Sequence, residues 1–166
     1  MIEHPFGPLY DKDSRILILG SFPSVKSREQ EFFYAHPQNR FWNVLVNVFG
    51  DGDENIRHDF KNTDEKAAFL HEHHVALWDV IASCDIEGSS DSSIRNVTAN
   101  DLTVILDNAD IENIYVNGKA AEKIYNRYIR DRIGRKCICL PSTSPANAAW
   151  KLDRLIKEWR VIRDDI

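Results

Sequence analysis

RILILGSFPS, residues 15–24, decides how this chain is read. Arg15–Leu19 is a short apolar run stopped by Gly20, the signature of a buried strand. Gly20–Ser24 is dense in the Gly, Pro and Ser that make loops. Outward from this strand and loop the chain alternates. Phe41, Leu45 and Val48 share one helical face and Trp42, Val46 and Phe49 the next, a broad apolar stripe on a helix starting near Pro37 and stopping at Gly50. Asp51–Asn62 is polar and expected to be irregular. Thr63–His74 predicts a helix capped by Thr63, with Ala67, Leu70 and His71 inward.

Val75–Ile81 (VALWDVI) predicts the next strand, Ser83–Ser93 a Ser/Asp-rich loop and Asp101–Asn108 a short helix. Ile114–Val116 is a strand closed by Asn117-Gly118; Lys119–Arg130 is a basic helix in a segment that Gly134 ends. Cys137–Leu140 is the last strand, Pro141–Pro145 a loop, and Ala146–Arg160 a helix with Leu152, Leu155, Ile156 and Trp159 inward. Strands alternating with helices predict an α/β fold, a three-layer α/β/α sandwich around a central, mostly parallel four-stranded sheet. Its length fits one domain over residues 1–166, with no internal repeat or linker. In such sheets ligands bind outside the carboxyl ends of the strands. The loops GSFPS, the segment after VALWDVI, Asn117-Gly118 and PSTSP all follow strands, so they are expected to gather on one edge.

Composition excludes several classes. With 43% hydrophobic residues the chain can build a core, and no apolar run reaches membrane-spanning length. MIEHPFGPLY is too polar and proline-broken for a signal peptide. Cys84, Cys137 and Cys139 form neither a disulfide framework nor a paired C-x-x-C zinc pattern, and Cys137 and Cys139 read as buried strand thiols. A reducing, cytoplasmic location is expected. His71-Glu72-His73-His74 is not the metalloprotease H-E-x-x-H, because Val75 stands where its second His belongs; a solvated helix end is expected, and no metal or other cofactor. GSFPS is neither the hydrolase elbow G-x-S-x-G nor a phosphate-binding P-loop. The formal charge is −5, yet Lys119–Lys136 holds seven basic residues against two acidic ones, a local +5 that leaves −10 elsewhere. Such a segment either holds phosphates or is a solvated helix face.

Two segments carry a family likeness. Gly20–Trp42, GSFPSVKSREQEFFYAHPQNRFW, resembles the first motif region of mismatch-specific uracil-DNA glycosylases, where G-I-N-P-G leads to F-A-H-P-x-N-R-F-W at the same spacing. Leu140–Asn147, LPSTSPAN, sits where that superfamily has its DNA-penetrating loop. The combination G-S-x-P-S, H-P-x-N-x-F-W and L-P-S-T-S-P is most similar to the hypoxanthine-DNA glycosylase branch. The resemblance implies a monomeric DNA-repair enzyme that needs no metal and excises deaminated bases from DNA, hypoxanthine from deoxyinosine foremost. It implies Asn39, the Asn of H-P-x-N, as the catalytic residue. Phe22 occupies the third loop position, where other branches place a water-positioning Asp or Asn. Tyr34 takes the place of the aromatic that stacks on the extruded base, a contact worth about 1–3 kcal/mol; the alternative, with Phe32 and Phe33 beside it, is a core aromatic. Phe22 lines the pocket or addresses the base through its backbone N–H.

The chemistry asked of these residues is cleavage of an N-glycosidic bond after the nucleotide has left the stack. Asn39 either orients a water through its carbonyl or supports the departing base through its NH₂; the alternative is a helix cap. Asp79 either accepts from a purine N–H or caps the following loop. Asn117 reads more as a turn residue than as a base reader. Ser24, Ser142, Thr143 and Ser144, on proline-stiffened loops, are expected at DNA phosphates, with turn chemistry as the competing role. Pro145 and Ala146 stand where the superfamily inserts its wedge into the duplex. No lysine lies in the matched G-S-x-P-S, H-P-x-N-x-F-W and L-P-S-T-S-P positions, so no Schiff-base lyase activity is expected. The rivals are a uracil- or mismatch-specific glycosylase and a non-catalytic nucleotide- or DNA-binding α/β module.

Overall fold

The computed structural model describes residues 1–50 and 57–164. In chain order its elements are β1 (Ile2–Glu3), β2 (Ile16–Gly20), α1 (Val25–Gln30), α2 (Phe41–Phe49), α3 (Thr63–Glu72), β3 (Val75–Asp79) and β4 (Ile81–Asp85). After them come β5 (Arg95–Ala99), α4 (Thr103–Leu106), β6 (Asn113–Asn117), α5 (Lys119–Tyr128), α6 (Arg130–Ile133), β7 (Ile138–Leu140), α7 (Leu152–Trp159) and α8 (Val161–Asp164). Of the polar stretch expected to be irregular, residues 51–56 lie outside the described residues, and 57–61 carry no regular structure.

The expected parallel sheet is present, in the order β3-β2-β6-β7. All five residues of β2 are buried, because a central strand of a parallel sheet is covered on both faces. Side chains alternate between those faces. Ile16 and Ile18 join a core with Trp42, Leu45, Leu70 and Trp159 from α2, α3 and α7. Leu17 and Leu19 join the opposite core with Ile105, Ala121 and Tyr125 from α4 and α5. Pairing sets Gly20 beside Asp79, and Asn117 beside Leu140. The ends of the strands therefore lie level at one edge of the sheet.

Several elements differ from expectation, each for a local reason. VALWDVI is two strands. After Asp79 the chain turns: Val80 N–H donates to the Gly20 carbonyl and Ile81 N–H to that of Ser21. Ile81–Asp85 then pairs in a second, antiparallel sheet, β1-β4-β5, so part of the expected Ser/Asp-rich loop is strand. The last long helix begins at Leu152 rather than Ala146, because the carbonyls of Ser144, Asn147 and Trp150 accept hydrogen bonds from Arg40. α2 begins at Phe41, since residues 36–39 close a turn, with Asn39 N–H on the His36 carbonyl. α3 is capped by Asn62 rather than Thr63: Asn62 Oδ1 accepts from Glu65 N–H at 2.9 Å. The basic helix breaks at Ile129 into α5 and α6, and Gly134 ends it in the left-handed conformation (φ 66°). Cys84 is buried, but Cys137 and Cys139 are only half-buried, and all three are free. The helix end is partly solvated, as expected, and also makes contacts: Glu72 is exposed, His71, its side chain 37% exposed, pairs with Asp11 at 3.1 Å, and half-buried His73 stacks on Phe49.

Candidate active site

The four loops meet, as the parallel topology requires, around a cavity of about 300 Å³ at the carboxyl edge of the sheet. The fold brings all ten residues singled out in the sequence to its lining: Phe22, Ser24, Tyr34, Asn39 and Asp79 from the first half, Ser142 through Ala146 from the second. Beyond the Ser142–Ala146 loop a shallower depression of about 510 Å³ continues past Gly118, Lys119 and Trp150.

At the floor, Gly20 faces Asp79 across the β2–β3 pair. A Cβ on Gly20 would stand 2.5 Å from Asp79 Oδ1 and 3.0 Å from the Tyr34 hydroxyl oxygen. Both polar atoms therefore depend on glycine at this position. Asp79 is 4% exposed, and its Oδ2 lies 2.7 Å from His4 Nε2. Oδ1 has no hydrogen-bond partner among the described residues. The expected loop-capping role for Asp79 is absent. Asn100 ties the turn instead, donating to the Asp79 and Ile81 carbonyls.

Tyr34 stacks one face on Phe41, with ring centroids 3.9 Å apart and planes 15° apart. Its backbone is left-handed (φ 52°), which costs a bulky residue free energy and is held by the packing around it. The hydroxyl is buried, and its O–H finds no acceptor among the described residues. Burial, then the negative charge of Asp79, pushes its pKa far up; the Asn117 amide opposes this, and Asp91 adds a smaller push in the same direction. Tyr34 therefore remains a neutral phenol with an unused O–H.

Asn39 serves two purposes at once. Its Oδ1 accepts from Phe41 N–H at 3.0 Å, which is the cap expected of an Asn before a helix, and from the Thr143 hydroxyl at 2.8 Å. A backbone N–H can only donate, so this oxygen is identified as the carbonyl and its two lone pairs are occupied. The NH₂ group has no partner among the described residues, and Asn39 lines the cavity. What Asn39 has left to offer is a donor.

Thr143 is completely buried, which corrects the expectation that it touches DNA. Its hydroxyl donates to Asn39 and accepts from Asn117 Nδ2 at 3.0 Å, while its backbone N–H donates to Asn117 Oδ1 at 3.0 Å. Asn117, expected mainly as a turn residue, holds Thr143, which in turn holds Asn39. Gly118 is needed for this approach: it sits at φ 98°, and a Cβ there would meet Ser142 at 3.0 Å.

Arg40 braces the late loop from beneath. Its guanidinium donates to the carbonyls of Ser144 (2.8 Å), Asn147 (3.1 Å), Thr143 (3.4 Å) and Trp150. Burial lowers its pKa. Asn147 closes the loop onto the Ser142 carbonyl at 2.9 Å, and Trp159 Nε1 ties down Pro141. Ser142 and Ser144 Oγ accept the N–H of Ser144 and Ala146, leaving each O–H free to donate outward. Pro145 and Ala146 are exposed at the tip. Ser24 is committed to turn chemistry, capping α1 through Ser27 N–H at 3.2 Å.

The basic segment lies elsewhere. α5 starts at the cavity edge and runs back along the sheet, so its later cations reach the opposite edge. There Arg135 donates to the Glu112 carbonyl, at the entrance of β6. Arg127, Arg130, Arg132 and Arg135 therefore do not face the cavity. Among the described residues no three His, Cys, Asp or Glu side chains group as metal ligands, and no helix is long and apolar enough to cross a membrane. Sequence reading missed His4 and Arg40 as site-builders. Arg40 stood inside the matched segment, but nothing local named its partners; His4 meets Asp79 across 75 residues and left no signal.

Comparison with known proteins agrees with this geometry. The family model for the uracil DNA glycosylase superfamily matches residues 8–164. Over 163 residues, 98% of each chain, the sequence is 30% identical to a protein of Methanosarcina acetivorans named hypoxanthine DNA glycosylase. Over 148 residues, 89% of each chain, it is 30% identical to a protein of the same name from Methanosarcina barkeri. The solution NMR structure of an M. acetivorans protein, described as a candidate uracil DNA glycosylase, superposes with a TM-score of 0.80 at 30% identity over 99% of both chains. A parallel sheet with its loops gathered on such a cavity, and a family match over nearly its whole length, make this chain a member of the uracil-DNA glycosylase superfamily.

Proposed function

We propose that this chain is a monofunctional DNA glycosylase that hydrolyses the N-glycosidic bond of deaminated bases, hypoxanthine in deoxyinosine first among them, and leaves an abasic site. The observation that carries this reading is the Asn39 amide: its oxygen is locked by Phe41 and Thr143, and its NH₂ is left to the cavity. The names borne by the two Methanosarcina relatives support hypoxanthine as the base. The chain acts on DNA as one domain and a monomer, with no metal.

In this reading the extruded base lies along the free side of Tyr34, with Phe22 bounding the cavity and Asp79 Oδ1 accepting a ring N–H. The C1′–N9 bond breaks with its electron pair going to the base. The Asn39 NH₂ donates to the group where negative charge develops; water forms the new C1′–O bond and loses a proton to solvent, and the departed base takes one up from solvent. Ser142 and Ser144 donate O–H to phosphates flanking the nucleotide, and Pro145-Ala146 fills the gap it leaves in the stack. No lysine lines the cavity among the described residues, so the sugar is attacked by water alone.

The test is a panel of oligonucleotides carrying deoxyinosine, deoxyuridine or neither, incubated with excess purified protein and a chelator. Free hypoxanthine and an intact, alkali-labile strand are expected. Absence of any product would leave a non-catalytic DNA-binding module. A faster release of uracil would move the chain to the other branch, and a borohydride-trapped adduct would overturn the monofunctional mechanism.

A further inference from the structure

His4 belongs to no motif and lies near the start of the chain, yet among the described residues it is the one side chain bonded to the Asp79 carboxylate. Its place is fixed by the second sheet. β1 pairs with β4, Ile2 opposite Cys84 and Glu3 opposite Ser83, and His4 N–H donates to the Ala82 carbonyl at 2.8 Å. This fastens the N-terminal segment to the strand that directly follows Asp79. The imidazole is 4% exposed and packs edge-on against Phe6 at 4.5 Å and Phe22 at 5.9 Å. Nδ1 faces the Phe6 N–H at 3.4 Å, so Nδ1 is the acceptor and Nε2 carries the hydrogen toward Asp79 Oδ2.

We infer that His4 is a positioning residue for base recognition: it holds one oxygen of Asp79 so that the other, Oδ1, faces the cavity as an acceptor for a ring N–H. The inference rests on the glycosylase reading above. A carboxylate turns freely about its last bond, and a buried one left unpaired is costly. The His4 N–H removes both difficulties from outside the cavity. The remaining oxygen can only accept. Hypoxanthine presents N1–H beside its carbonyl, whereas adenine presents a bare N1 lone pair at the same place. A fixed acceptor therefore favours the deaminated base, and its fixity is supplied by a residue that never touches the base.

The test is single-turnover release of hypoxanthine by the full chain carrying His4→Phe, His4→Gln, Asp79→Asn and the His4→Phe/Asp79→Asn pair, with thermal midpoints for each. Phe keeps the ring that packs on Phe6 and Phe22 but lacks the donor; Gln keeps a donor. His4→Phe is expected to lose about tenfold or more in rate, the scale of a hydrogen bond to a charged group. His4→Gln should recover most of that loss. In the Asp79→Asn background His4→Phe should add little further loss, because both act through one carboxylate. Full additivity, an unchanged His4→Phe rate, or a His4→Gln as slow as His4→Phe would each overturn the inference. Failure of the wild-type chain to release any base is a distinct result, since it would overturn the functional reading itself.

Discussion

At the scale of single residues, the cap that Asn39 makes and the catalysis proposed for it use different atoms. The oxygen caps α2 and accepts from Thr143; the amide nitrogen has no partner among the described residues. The two variants then separate. Asn39→Ala removes both atoms, so base release should fall by about 10²–10³ and stability by about 0.5–2 kcal/mol. Asn39→Asp retains oxygens for Phe41 and Thr143 but replaces the donor, so it should melt near the parent and be as slow as Asn39→Ala. An Asp variant that cleaves at the parent rate would show that the side chain orients water as an acceptor instead. Thr143→Val is nearly equal in volume and lacks the hydroxyl. It should slow base release by about tenfold, the value of one hydrogen bond in a buried network, measured at enzyme excess. Gly20→Ala places a methyl 2.5 Å from Asp79 Oδ1, so the carboxylate must move. That variant should lose affinity for deoxyinosine DNA, and an unchanged affinity would separate Asp79 from base recognition. The motif spacing made Asn39 and Tyr34 legible as residue types, and the end of the VALWD strand did the same for Asp79. The division of labour within one amide was not legible, because it depends on Thr143 and Asn117, more than a hundred and nearly eighty residues further along.

At the scale of elements, the strands of the parallel sheet were readable because each is a compact apolar run ending at Gly or a polar turn. The antiparallel β4 and β5 were not. β4 follows β3 after a single residue, its burial does not alternate, and its pairing with β5 is irregular, so periodicity had nothing to detect. The start of α7 was misplaced because the sequence Ala146–Lys151 carries no helix breaker; what prevents helix there is a guanidinium from another element. Arg40 donates to four loop carbonyls; those of Ser144, Asn147 and Thr143 also accept a backbone N–H, whereas that of Trp150 has no other donor among the described residues. Arg40→Met keeps the stem and removes every donor. It should cost about 1–3 kcal/mol in stability, the penalty for stranding the Trp150 carbonyl. Arg40→Lys should recover only part of this, since one ammonium cannot match a planar fork. Hydrogen exchange at Asn147 and Trp150 should accelerate in both variants, and base release should weaken through poorer binding of DNA rather than slower chemistry. Loop exchange at the parent rate in Arg40→Met would show that Asn147 and Trp159 suffice to brace the loop.

At the scale of the whole molecule, the sheet sorts the charges. A helix that follows a parallel strand runs back toward the opposite edge, so the amino end of α5 stands at the cavity and its carboxyl end cannot. This follows from topology alone, and it separates Lys119, 87% exposed beside the shallower depression, from the arginines further along. Net charge and the count of basic residues in Lys119–Lys136 carried no information on direction, which is why the segment first read as a possible phosphate grip. The cavity itself is lined by hydroxyls, amides, aromatic rings and the carboxylates of Asp79 and Asp91, with no Lys or Arg among the described lining residues, in a chain of formal charge −5. DNA binding should therefore depend only weakly on salt. Each phosphate neutralised by a cation contributes a slope of about −0.9 in a plot of log affinity against log salt. Replacing Arg127, Arg130, Arg132 and Arg135 together by Gln should leave that slope unchanged, while Lys119→Gln should flatten it by about 0.9 if its ammonium meets a phosphate. Measured on deoxyinosine duplex between low and moderate salt, a drop of about 3–4 in slope for the arginine variant would mean that DNA reaches the far edge of the sheet. The strand path would then run around the molecule, and the cavity edge alone would not account for binding.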